Sequence, residues 1–424
     1  MKNIMITAGL MISLHTSAIT LEECYNLSRS NYPMVAQYEL IEKAKEYSLS
    51  NAEKAYLPQI SFLGQASYQN AVSSFPQQME STYEKMGINF KGLSKDQYKL
   101  MLQATQTIWD GGTTKAQKAS IKEKNKIEQL SIDKEINAIK NRVNQLYFGI
   151  LIMEANKKIN EETDSLIAQN EKILESGIKN GVNLKTDKDN IEVERLTLKL
   201  KQEQIKSTIT AYRQILSLII GKEIGETEIL EKPETIGEYE ENARTEMKLF
   251  DAEKEQVETE RYKLKASLMP RLEIYAQGWY GKPGLNMFDD MMNNEFSWNG
   301  IVGLRLQWNL SGFYTRKNNM EQISLSEQKI ETERKLFDWN LNQQKKQFKT
   351  QIETMEEMQQ TDSSIVQFRH NIRLSAESKY RNGVITINDL LRDLTNEKEA
   401  KQTQRLHELE KLEDLYELKA TLNQ

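Results

Sequence analysis

The sequence predicts an α+β protein built twice, each half rooting a very long helical hairpin in a pair of short antiparallel strands. Three observations carry that expectation. Period-two alternation begins after Leu57-Pro58 and again after Met269-Pro270. Each strand pair then gives way to an unbroken helical pattern, from Gly112 to Gly181 in the first half and from Gly312 to Gly383 in the second. A glycine-bearing turn, Asn180-Gly-Val182 or Asn382-Gly-Val384, separates each long helix from a returning one, glycine supplying the left-handed conformation at the helix end. At about 1.5 Å rise per residue such a helix is roughly 100 Å long, too long for one compact domain.

Composition supports a mostly helical, water-exposed chain. Only six of 424 residues are proline and nineteen glycine, so helix breakers are few, and 28% are charged. Mean hydropathy is −0.67. The formal net charge is −5, with Lys and Arg spread along the helices. Nucleic-acid binding needs a basic patch, so that partner is not expected.

Residues 1–18 read as a secretory signal: Lys2 gives the positive start, Ile4 to Leu14 are mostly apolar, and Thr16-Ser-Ala18 offers small residues before a cut. A buried first helix is the alternative. No later run of eighteen or more apolar residues exists, so export leaves release from the inner membrane or passage through an outer one by other means. Cys24 is the sole cysteine, which excludes an internal disulfide, and Glu22-Glu23 before it is not the small-residue context of a lipid-modified cysteine.

Residues 20–56 read as helix interrupted at Pro33, ending before Pro58, because a residue that precedes proline is pushed away from helix. The first repeat spans 19–236, with strands at about 58–70 and 97–109 and a tip at 180–182. The second spans 237–424, with strands at about 270–281 and 297–309 and a tip at 382–384. Gly221 to Gly237 reads as the connector. In the first strand Ile60, Phe62, Gly64, Ala66 and Tyr68 alternate with Ser61, Leu63, Gln65, Ser67 and Gln69. In the second, Met101 and Gln106 disturb the pattern, and Trp109 belongs to the turn. The polar stretch 70–97 reads as a loop, as does the stretch with Gly281, Pro283 and Gly284 that follows the third strand.

Strands of this length cross a bilayer when tilted, which takes about 9–11 residues. One apolar and one polar face suit lipid and lumen. Tyr68, Tyr98, Tyr280 and Trp298 fall near one rim and Trp308 at the other, where aromatic rings favour the membrane interface. Gln65, Ser67, Gln103, Thr105, Gln277 and Gln307 take the lumen side. A soluble sheet with one buried face shows the same alternation; the export segment and the aromatic placement favour a membrane β-barrel. Four strands cannot close a barrel, and open strand edges are not tolerated in lipid. Two copies would give eight strands and three would give twelve, where single-chain outer-membrane barrels start at about eight.

The long helices carry a coiled-coil signal. Ile132, Ile136, Ile139, Val143, Leu146, Ile150 and Met153 step alternately by four and three. In the second copy Leu341, Phe348, Ile352 and Met355 hold the register, then Gln359 and Asp362 break it. His370 and His407 read as exposed helix residues. No metal-ligand spacing, phosphate loop or nucleophile motif is visible, so neither an enzyme activity nor a cofactor is expected.

Leu21-Glu-Glu23, Leu57-Pro-Gln59, Trp109-Asp-Gly-Gly112, and Tyr380-Arg-Asn-Gly-Val384 followed by Asp389-Leu-Leu391 stand in one order along the chain. In this the chain resembles the TolC-like outer-membrane efflux proteins over about residues 19–424. The resemblance implies a homotrimer with a shared twelve-stranded barrel in outer-membrane lipid and an α-helical tunnel across the periplasm. It also implies partners: a periplasmic adaptor and an inner-membrane efflux or secretion transporter. It places a periplasmic gate at Thr186, Asp187, Tyr380 and Asp389, and adaptor docking at Gly181, Val182, Gly383 and Val384. Arg392 and Ile385 depart from the pattern, standing where a second acid and a basic gate residue occur. Asp187 and Asp389 equally suit helix amino termini, where a carboxylate is favoured by about 0.3–1 kcal/mol. A rival reading is a periplasmic coiled-coil adaptor or scaffold, although an adaptor usually carries one hairpin between β-rich halves.

Overall fold

A computed structural model describes residues 18–89, 92–181, 183–237 and 244–422. The export segment, except Ala18, and Val182 at the first tip lie outside these residues. The helices are α1 (Leu21–Asn31), α2 (Ala36–Glu53), α3 (Gln77–Lys85), α4 (Thr113–Lys179), α5 (Lys185–Ile220), α6 (Thr245–Ser267), α7 (Met287–Asn293), α8 (Gly312–Arg381) and α9 (Ile387–Leu422). The strands are β1 (Gln59–Tyr68), β2 (Asp96–Trp109), β3 (Arg271–Lys282) and β4 (Ser297–Gln307). Two compact units result. One is mostly helical and holds the described residues up to Tyr38, Leu130–Lys248 and Arg334 onward; the other holds Glu39–Gln129 and Leu249–Glu333, including all four strands.

In the strand-bearing unit the sheet is antiparallel in the order β1-β2-β3-β4. Its register puts like parity on one face. Phe62 pairs with Leu102 and Ile60 with Ala104, while Ala276 pairs with Val302, Ile274 with Leu304 and Tyr280 with Trp298. This apolar face is open: Phe62 is 71% exposed, Val302 78% and Trp298 81%. A soluble sheet packs its apolar face on a core; here nothing in the chain covers that face. On the other face Gln277 donates to Gln103 at 2.9 Å. That face is not polar throughout, since Leu63 pairs with Met101 and Met101 with Trp279. Met101 therefore keeps the alternation and packs on this second face, where Lys99 Nζ stands 4.1 Å from the Trp279 ring centroid.

Several sequence expectations need correction here. Trp109 ends β2 and pairs with Leu272, because a bulge between Thr107 and Trp109 absorbs Ile108. β4 stops at Gln307, two residues short, and Trp308 lies beyond it, its indole donating to the Leu268 carbonyl at 2.9 Å. The two expected loops each hold a short helix, α3 and α7.

The Trp109-Asp-Gly-Gly112 turn is built around Asp110. Its Oδ1 accepts from the Gly112 amide and the Tyr56 hydroxyl, each at 2.9 Å, and its Oδ2 accepts from the Thr114 amide at 2.6 Å, capping α4. Burial pushes this carboxyl up, but the bonds from Thr114, Tyr56 and Gly112 outweigh it and hold its pKa below the usual value. Gly111 sits at φ +70°, and a Cβ there would fall 2.5 Å from the Met269 Cβ. The sequence spacing thus reflects both conformation and close approach.

In the helical unit one apolar core draws on α1, α4, α5, α9 and the connector, with Cys24, Val143, Tyr147, Phe148, Ile150 and Leu216 fully covered or nearly so. Ile19 bridges to Leu230, and the Tyr147 hydroxyl donates to the carbonyls of Ile19 and Glu231 at 2.7 and 2.6 Å. The connector is thereby tied to α4. A second core nearer the tips joins Ile167 and Leu174 of α4, Ile191 and Leu198 of α5, Ala376 and Tyr380 of α8, and α9 from Ile387 to Leu394.

The seam on α4 continues past Met153 to the tip through buried Asn160, Thr163, Ile167, Asn170 and Leu174. On α8 the expected break is also absent. Gln359 donates to the His407 carbonyl at 3.0 Å, and buried Asp362 faces His407 Nδ1 at 2.7 Å. The register is kept by paired polar side chains instead of apolar ones. His407 is accordingly half-buried, not exposed. His370, though exposed, meets Glu397 at 2.9 Å. Glu397 is buried and also holds Arg373 and Lys401.

Candidate functional site

The two hairpin tips are built alike. Gly181 and Gly383 stand at φ +74° and +71°, and a Cβ at either would meet nothing within 4 Å. Conformation alone therefore selects glycine there. The Gly181 amide donates to the Ile178 carbonyl at 3.1 Å; the Gly383 and Val384 amides donate to the Tyr380 and Lys379 carbonyls at 2.9 Å each. Val384 is 69% exposed, which leaves an apolar side chain at the outermost point of the second tip.

Each returning helix then begins with an aspartate in its first turn. Asp389 Oδ2 accepts from the Thr386 amide at 3.1 Å and from the Thr386 hydroxyl at 2.7 Å, while the Asp389 amide donates back to Thr386 Oγ1 at 3.3 Å. This is a reciprocal capping box. Asp187 makes half of one: its Oδ2 accepts from the Leu184 amide at 3.0 Å, and leucine has no oxygen to return the bond. The Thr386 hydroxyl and amide hold the Asp389 carboxyl below its usual pKa, with Arg392 adding to the effect from 3.5 Å. The cap and the nearby guanidinium are thus both present, so the charge that Asp389 offers to solvent is partly neutralised.

Tyr380 lies inside the tip core, and burial pushes its phenol up. Its hydroxyl accepts from Asn183 Nδ2 at 3.1 Å, tying the second hairpin to the first, with Asp187 close by. The structure therefore bonds Tyr380 to Asn183 and Asp187 to the Leu184 amide, while Thr186 is exposed and Asp389 is engaged with Thr386 and Arg392. Asn183 was not anticipated. The available signal was Gly177, an isolated glycine inside a long helix. A Cβ at Gly177 would meet the Asn183 side chain at 3.1 Å.

On the sheet, the rings of Tyr98 and Tyr280 lie against Phe296, a residue that the sequence did not single out, and Tyr280 lies against Trp298. The Tyr280 ring lies 5.5 Å from Phe296 and 5.1 Å from Trp298, and Tyr98 lies 6.2 Å from Phe296. Tyr68 ends β1 opposite Asp96. Trp308 stands just beyond β4 against Phe313. Among the described residues no helix is long and apolar enough to cross a membrane.

Comparison with known proteins gives the same architecture. The outer membrane protein VceC from Vibrio cholerae is similar with a TM-score of 0.68 at 12% identity, over 95% of both chains. The CmeC outer membrane channel of Campylobacter jejuni is similar at 0.64 and 12% identity, over 95% of this chain and 85% of that one. The open-state MtrE outer membrane channel of Neisseria gonorrhoeae gives 0.64 and 12%, over 95% and 88%. No curated protein matches in sequence. Residues 24–217 match the outer membrane efflux protein family. That segment is similar to the outer membrane efflux protein family, and over nearly its whole length the chain has the fold of these outer membrane channels.

Proposed function

We propose that the chain is the outer-membrane channel of a tripartite efflux or type I secretion system. It forms a homotrimer that passes substrates from an inner-membrane transporter and a periplasmic adaptor to the exterior, and it carries out no chemistry of its own. The observation that supports this best is the sheet: four strands with an uncovered apolar face, a lumen face bearing Gln103 and Gln277, and two free edges at β1 and β4. Edges in lipid must be paired, and copies of the same sheet supply the partners. A twelve-stranded barrel from three copies meets that requirement. The helical hairpins extend into the periplasm, with adaptor docking at Gly181, Val182, Gly383 and Val384 and a gate at Thr186, Asp187, Tyr380 and Asp389. An adaptor or scaffold would have no use for so broad an apolar sheet face.

The experiment is a planar-bilayer conductance measurement on the detergent-purified oligomer from outer membranes. Discrete conductance steps from a trimer are expected. A soluble periplasmic monomer, or an outer-membrane oligomer with no conductance, would overturn the reading.

A further inference from the structure

The strands carry few charges, and these are sorted by face. Lys99, Arg271, Glu273 and Arg305 share the parity of Gln103 and Gln277. The apolar face has only Asp96 and Lys282, both at strand ends beside the loops. Three cations against one carboxylate leave the Gln277 face with two positive charges per copy, in a chain whose formal net charge is −5.

Aromatic rings hold two of these cations. Lys99 Nζ stands 4.1 Å from the ring centroid of Trp279, which is 5% exposed. Arg305 is the cross-strand neighbour of Glu273, yet its guanidinium lies over the Tyr275 ring, 4.7 Å from the centroid. Gly303, opposite Tyr275, makes room for that ring: a Cβ there would fall 2.9 Å from the Tyr275 hydroxyl oxygen. Arg271 begins β3 opposite Gln307 and is exposed. Among the described residues none of the three cations is in an ion pair. A ring face attracts a cation without cancelling its charge.

The charges lie at two levels. Lys99 pairs with Gly281 and Arg305 with Glu273, so eight residues of β3 separate them, roughly 27 Å along the strand. Between the levels this face offers Gln103, Thr105, Tyr275 and Gln277, and no charge.

We propose that the strand-built part of the channel selects for anions and favours small organic anions as cargo, with Lys99 at one level and Arg271 and Arg305 at the other as the determinants. The inference rests on the channel reading above and adds a substrate class to it. Three copies turn each level into a cationic ring, and rings of Arg or Lys against a low-dielectric wall concentrate anions. Wall charges act over a Debye length, about 10 Å at 0.1 M salt and about 3 Å at 1 M. The preference is therefore strong in dilute salt and fades in concentrated salt.

The test is the reversal potential of the full-length oligomer in planar bilayers under a potassium chloride gradient. Lys99→Gln combined with Arg271→Gln and Arg305→Gln should lower the chloride-to-potassium permeability ratio several-fold near about 0.1 M salt, and by less near about 1 M. Glu273→Gln should raise it. These variants share the same hairpin tips, so any selectivity contributed by Asp389 is common to all of them. As a second arm, pyrenetetrasulfonate added on the side of the loops should reduce the parental current, and the block should weaken several-fold in the triple variant. If the triple variant does not assemble, Arg271→Gln and Arg305→Gln, both at exposed side chains, are measured singly with the same expected direction. A parental permeability ratio in these variants, a block of unchanged strength, or a Glu273→Gln shift in the same direction as loss of the cations would each overturn the anion preference and leave the channel reading standing. A purified oligomer that does not conduct would remove both.

Discussion

Asn183 on the first hairpin donates to the Tyr380 hydroxyl of the second at 3.1 Å, so one side-chain bond joins the two tips across 197 residues of chain. Tyr380→Phe removes the acceptor and leaves the ring in the tip core. A neutral hydrogen bond of this kind contributes about 0.5–1.5 kcal/mol net, enough to shift an equilibrium between closed and open tips several-fold. The expected outcome is a higher open probability or larger mean conductance in planar bilayers, with thermal stability nearly unchanged. Conductance equal to the parent would confine the bond to a structural role.

Asp389 is a cap before it is anything else, and Arg392 sits 3.5 Å from it. If the carboxylate also faces the conduction path, the arginine should be masking it. Arg392→Ala is expected to increase cation selectivity, read as a shift in reversal potential under a salt gradient. Asp389→Asn should reduce selectivity and cost about 0.5–2 kcal/mol or less of helix stability, since Thr386 keeps its half of the cap. Loss of stability with no change in reversal potential in either variant would leave only the cap.

Much of this fold was legible because the physics was local. The prolines at 58 and 270 mark strand entry, glycines at 111, 112, 181 and 383 take left-handed conformations, and alternation marks the sheet. What was missed depended on partners distant in sequence. Asp362 interrupts an apolar heptad on paper, yet His407 from another helix satisfies it. Met101 breaks a polar face on paper, yet Trp279 from β3 packs beside it. The bulge at Ile108 is visible only once β2 and β3 are in register. At the tips, Gly181 and Gly383 could be read directly, while the Asn183–Tyr380 bond needs both hairpins in place.

The acidic run on α9 predicts an inverted pH dependence. Burial, then neighbouring acids, pushes Glu413 up to about 7, and burial with Glu410 pushes Asp414 up to about 6. Burial and Glu413 raise Glu417 to about 7, against a smaller opposing bond from Asn144. These folded-state values lie above the unfolded ones. The folded chain therefore binds extra protons, and the associated stability is fully present below about pH 4 and lost as pH rises through 7. Glu413→Gln with Glu417→Gln is expected to raise the unfolding temperature at pH 8 and to change it little at pH 4. Equal effects at both pH values would mean that packing, not ionisation, governs these sites.

The sheet makes the most direct prediction about the membrane. Val302 lies on the uncovered apolar face, paired with Ala276, and is 78% exposed. Gln277, one residue from Ala276, points to the opposite face and bonds Gln103. An arginine on a lipid-facing strand costs about 2–4 kcal/mol near the bilayer midplane, whereas a lumen-facing charge remains hydrated. Val302→Arg should therefore lower the amount of assembled protein in the outer membrane by tenfold or more. Gln277→Lys should assemble at parental levels and instead alter conductance or ion selectivity. Quantifying detergent-extracted oligomer from isolated outer membranes checks both variants. Equal tolerance of the two charges would mean that this face meets water or protein, and the barrel would have to be abandoned.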